Sequence, residues 1–209
     1  MVFVLIILYV VPLVYLPITG RFKGYATIIA VQGWLLLGVA LLTLHAGNWL
    51  ELAFVVSETL IFKALIVPAI LLGIIRKTKI NRIEASGKSQ FNVLVMSILA
   101  LVASLAVTYY LSDHTINIVF FGVSLYALLS VLILITVRKR IFSHMVGFLV
   151  IENGVFLFAM AIGVEMPFLI NIAILLDILI SVLMLGMFLS KIGGQMHNMD
   201  SDNLTTLKD

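Results

Sequence analysis

Four ionisable side chains stand where an otherwise apolar chain leaves them little water. They are Glu58 in "VVSETLIF", Lys63 in "LIFKALIV", Glu152 in "FLVIENGVFLF" and Asp177 in "NIAILLDILIS". A carboxyl in a dry setting resists ionisation, and two carboxyls that share a site titrate as a pair, one holding or sharing a proton. An ammonium in the same setting needs an anion or a water-filled cavity, or it must lose its proton. The chemistry available to such a set is the holding and passing of protons.

The elements that position these groups follow from composition. The chain has 209 residues, 63% hydrophobic and 11% charged, against about 45–50% and about 25% in ordinary soluble domains. Most of it therefore belongs inside a bilayer. A helix crosses the hydrocarbon core with about 20 apolar residues, and seven stretches qualify: 2–19, 25–45, 49–75, 91–112, 115–137, 141–163 and 167–190. The first reads as a span rather than a cleaved leader, because no basic residue precedes it and no small-residue cleavage site follows.

Twelve of the thirteen basic residues sort to one side. They lie at 21–23, 76–88, 138–140 and beyond 190, while the connections 46–48, 112–114 and 164–166 contain none. The positive-inside rule makes the basic side cytoplasmic. The expectation is an all-α polytopic membrane protein of about seven transmembrane helices, N-terminus outside and C-terminus cytoplasmic. Residues 1–192 form one transmembrane domain, and 193–209 form a polar cytoplasmic tail. Pro12, Pro17 and Pro68 bend or end spans, and Pro167 opens the seventh. Small residues such as Gly122, Gly147 and Gly154 permit close helix approach in lipid.

The exception among the cations is Lys63. At a rise of about 1.5 Å per residue, Glu58, Glu152 and Asp177 each lie roughly 13–16 Å into the membrane, near its midplane, with Lys63 one or two turns to the cytoplasmic side. A charge at that depth is unfavourable by about 2.5–3.5 kcal/mol on insertion scales and usually faces the bundle interior or a pathway. The short link between the last two spans makes them antiparallel neighbours, so Glu152 and Asp177 can face each other at one height. The pair serves as a proton relay or, alternatively, as a structural polar clamp satisfied by Asn153, Asn171 or Ser181. Glu51, two turns outward from Glu58, and His144, two turns inward from Glu152, extend the line as secondary relay candidates. His144 also sits where an ordinary interfacial residue would. Glu58 and Lys63, five residues apart, are separated by about 140° on an α-helix and should reach different neighbours.

Several function classes are excluded. Without cysteine there is no disulfide and no thiolate-ligated iron–sulfur or zinc site. His45, His114, His144 and His197 are scattered singly. There is no nucleotide loop, no catalytic triad and no haem-binding histidine pair, so the chain moves or holds something rather than catalysing a reaction by itself.

"GFLVIENGVFLFAMAIG" followed by "INIAILLDILISVLMLGMFLSKI" resembles the second and third helices of the K subunit of respiratory complex I and the C subunit of multisubunit cation/proton antiporters. Those units carry one acid in each of these helices, matched by Glu152 and Asp177, although the second acid there is usually glutamate. That three-helix unit would cover 115–191. The whole chain is similar to component E of hydrogenase-4 and related formate hydrogenlyase complexes, through the lysine helix "FKALIVPAILL" and the terminal "DNLTTLK". The resemblance implies a non-catalytic membrane-arm subunit of an oxidoreductase complex in the inner (cytoplasmic) membrane. No cofactor is bound by this chain, and nickel–iron and iron–sulfur centres lie in partner subunits. Antiporter-like and anchor membrane subunits are the expected neighbours, and protons or sodium ions the transported species. The alternatives are a cation/proton antiporter subunit without hydrogenase and a structural scaffold.

Overall fold

The computed structural model describes residues 1–43, 49–78, 89–111, 116–138 and 141–162. Within them all regular structure is helical, in the order α1 (Val2–Tyr15), α2 (Phe22–Thr43), α3 (Trp49–Glu58), a π-helical segment (Thr59–Ile66), α4 (Val67–Thr78), α5 (Gln90–Tyr110), α6 (Ile118–Val137) and α7 (Ile141–Ile162). Among the described residues, five stretches are long and apolar enough to cross a membrane: Phe22–Thr43, Val55–Arg76, Gln90–Tyr110, Ile118–Val137 and Phe142–Ile162. The third of these runs from α3 through the π segment into α4. Of the seven expected spans, the first is a shorter apolar helix, α1, of 14 residues. That length rises only about 21 Å. The seventh, with Asp177, Asn171 and Ser181, lies outside the described residues, as do His45, His114 and the tail 193–209.

Why α1 stops short is legible locally. Pro17 cannot donate to the helix ladder, and the backbone turns there, with the N–H groups of Ile18 and Thr19 both bonding to the Tyr15 carbonyl. The turn is held from a distant part of the chain. Arg138, just past α6, is buried and donates from one guanidinium nitrogen to the carbonyls of Pro17 at 3.2 Å and Thr19 at 3.0 Å. Carbonyls at a helix C-terminus lack intrahelical donors and carry partial negative charge, so a cation there is favourable. Arg138 reads from sequence as one of three loop charges, yet it is an internal fastening.

Two helices organise the bundle. α2 packs against α1, α3, the π segment, α4 and α7, while α6 packs against α1, α5 and α7. The α6–α7 pair is a close antiparallel hairpin. The Asn117 N–H at the start of α6 bonds to the Ala161 carbonyl near the end of α7 at 2.8 Å. Gly147 and Gly154, two turns apart on α7, face Val131 and Ala127 of α6, where an added Cβ would come within 3.0 and 3.2 Å of those side chains. Without a hydrophobic force between helices in lipid, such close backbone approach supplies the dispersion contacts that hold them. α5 is peripheral. Its Phe91, Leu99, Val102 and Leu105 are exposed, as suits a hydrocarbon-facing helix. Its inner side is tied to α6 by the Ser97 and Tyr126 hydroxyls, 2.8 Å apart.

Candidate functional site

Glu58, Lys63 and Glu152 are all drawn inside, at 4%, 7% and 7% exposure. They lie among Thr59, Gln32 and Asn153, which are buried as well. The polar groups of three separate apolar segments thus occupy the interior of the bundle, where a low dielectric magnifies every electrostatic interaction.

Lys63 sits in the middle of the π-helical segment, and Glu58 is its N-cap. The Val67 N–H bonds to the Phe62 carbonyl, five residues back rather than four. Pro68 follows at once as the second residue of α4 and brings no N–H, so no i→i−4 bond is made at that position. The wider turn changes the angular relation expected from an α-helix. Residues five apart are hydrogen-bonded neighbours along a π-helix, so Glu58 and Lys63 come nearer to one face than the about 140° of an α-helix allows. π-turns of this kind occur frequently at functional sites. The Thr59 hydroxyl donates to Glu58 Oε2 at 3.3 Å, keeping that carboxyl engaged within its own turn.

The Lys63 ammonium reaches α7. Its Nζ stands 4.9 Å from the centre of the Phe156 ring. A cation over an aromatic face within about 6 Å is attracted by the ring quadrupole, by about 2 kcal/mol where water is excluded. Phe156 is one turn beyond Glu152 on the same face of α7. The lysine therefore reaches α7 one turn from Glu152. Depth counted along the backbone sets Lys63 one or two turns to the cytoplasmic side of the carboxyls, and its side chain reaches a ring one turn beyond Glu152.

α2 connects the two. Asn153 Nδ2 donates to Gln32 Oε1 at 3.3 Å. The next residue, Gly33, meets the other side: a Cβ there would lie 2.6 Å from the Lys63 carbonyl oxygen and 2.9 Å from Ala64 Cα. Neither Gln32 nor Gly33 stands out in a search for charged residues. The signal was present nonetheless in "IIAVQGWLL", an uncharged amide followed by glycine in the middle of an apolar span.

The remaining candidates fall as follows. Asn153, named as a clamp residue, is buried and engaged with Gln32. His144 is half-buried on α7. Glu51 lies on α3, its side chain outside the description. Asp177 lies outside the described residues, so its pairing with Glu152 rests on the sequence. Among the described residues, no three of His, Asp and Glu gather in a way that would hold a metal ion.

What this arrangement can do is hold a proton on a buried carboxyl and bias it with a nearby ammonium. No protein-family model, curated protein or solved structure matches this chain.

Proposed function

We propose that this chain is a membrane-arm subunit of an energy-converting, hydrogenase-4 or formate hydrogenlyase-like complex. In this reading it crosses the inner membrane seven times, with the N-terminus outside, and contributes Glu58, Lys63, Glu152 and Asp177 to a proton or cation path. Redox chemistry takes place on nickel–iron and iron–sulfur centres of partner subunits. The observation that carries the reading is the Lys63 ammonium over Phe156, one turn from Glu152. It joins the lysine segment and the acid helix inside an apolar bundle, where charge is otherwise unfavourable. The resemblance of "FLVIENGVFLF" and "FKALIVPAILL" to that family supplies the complex.

A second reading has its own support. The Asn153–Gln32 hydrogen bond ties α7 to α2, as a purely structural clamp would. Ion movement without hydrogenase, as in a cation/proton antiporter, uses the same site with different partners. Partners decide between the hydrogenase and antiporter assignments. Purifying the tagged chain from its native membrane in mild detergent should bring down antiporter-like subunits together with a nickel-containing hydrogenase subunit. Recovery with antiporter subunits alone, and no nickel, contradicts the hydrogenase assignment.

A further inference from the structure

Gln32 is fully buried, and its two amide ends are unequal. Oε1 accepts a hydrogen bond from Asn153, while Nε2 makes none to any described residue. A contact serving only to join α2 and α7 would be made as well by two apolar side chains, without a buried donor left over. The position adds meaning. Gln32 bonds the neighbour of Glu152 on one side, and through Gly33 its helix is seated on the Lys63 backbone on the other.

Resting on the function proposed above, we propose that Gln32 is a positioning residue for proton transfer at Glu152. Its carbonyl fixes Asn153, and with it the α7 turn that carries Glu152, in register with the Lys63 segment. Its Nε2 N–H groups, which bond no described residue, donate to a water on the proton's way to the carboxyl. Buried waters are held by two to four polar partners, and an amide donor on the helix packed against α7 orients such a water without competing for its proton. No bond other than O–H is made or broken. The proton leaves the water as it joins Glu152, and the water is reprotonated from the side from which the proton came.

The test uses the whole complex in proteoliposomes, with Gln32→Leu, the double variant Gln32→Leu/Asn153→Leu, and Glu152→Gln as reference. Replacing both amides leaves no orphaned partner, so the double variant should assemble even if the single one does not. Coupled ion transport by the double variant should fall about ten- to hundredfold, as for a misplaced reacting group, while electron transfer to artificial acceptors persists. The infrared carbonyl band of protonated Glu152, identified by its loss in Glu152→Gln, should shift. The exchange variant Gln32→Asn/Asn153→Gln, which keeps an amide pair of the same total length, should restore part of the transport. Normal transport and an unshifted band in the double variant overturn the proposal. If Glu152→Gln also transports normally, the relay itself is refuted rather than the part given to Gln32.

Discussion

The backbone of Gly33 packs directly on the carbonyl of Lys63, so closely that a Cβ at Gly33 would lie 2.6 Å from that oxygen. Real Cβ atoms do not approach backbone oxygens to that distance, and neither partner is a flexible side-chain end that could swing away. Gly33→Ala should therefore push α2 off the π segment and destabilise the subunit by about 1–3 kcal/mol, the usual range for overpacking. Thermal aggregation of the detergent-solubilised protein measures this. An unchanged midpoint would show that the two segments are not seated on each other.

Lys63 itself should be needed for coupling rather than assembly. Lys63→Met keeps an unbranched side chain, one atom shorter, and removes the charge from the face of Phe156. The complex should assemble normally and lose coupled ion movement. Phe156→Leu should weaken the placement of the ammonium by about 1–2 kcal/mol and give a partial loss. Normal transport by Lys63→Met would make the lysine a tolerated charge.

Arg138 fastens the α1–α2 turn through carbonyls reached by one guanidinium nitrogen, which calls for the reach and planarity of an arginine. Arg138→Lys retains the charge but not that geometry, and should destabilise the bundle by about 1–3 kcal/mol. Arg138→Ala should do so by more. Proteolysis near residues 16–21 in membranes would report the loosened turn. Equal resistance of all three proteins would contradict the fastening.

The seven-span topology predicts that single cysteines placed in this cysteine-free chain at 79–88 and 193–209 are labelled from the cytoplasm. Those at 46–48, 112–114 and 164–166 should be labelled from outside. Labelling of 79–88 from the outside would overturn it.

Much of the fold was legible because the rules in lipid are few. Runs of about 20 apolar residues must be helices, and charges within them must turn inward. Glu58, Lys63 and Glu152 obey this, and their burial could be read from residue type alone. Three features could not. The π segment arises where the i→i−4 ladder is reset before Pro68, and a proline signals a break without saying which form it takes. Gln32 and Gly33 carry no charge, so a search keyed to ionisable groups passes over them, although an amide in mid-span obeys the same satisfaction rule as a carboxyl. Arg138 sits in a basic run that topology rules explain completely, which hides its attachment to residues more than a hundred positions away in the sequence.

The central claim is that Glu152 carries a proton, and it is tested most directly by coupled ion transport in the reconstituted complex bearing Glu152→Gln. Glutamine keeps the shape of the protonated carboxyl but cannot exchange a proton, so the variant should insert and assemble. It should also transfer electrons to artificial acceptors while generating little or no ion gradient. Asp177→Asn should behave alike, and the double variant should be little worse than either single one if both act in one relay. A normal ion gradient from assembled Glu152→Gln complex would contradict the account and leave the buried carboxyl as a polar fastening between helices.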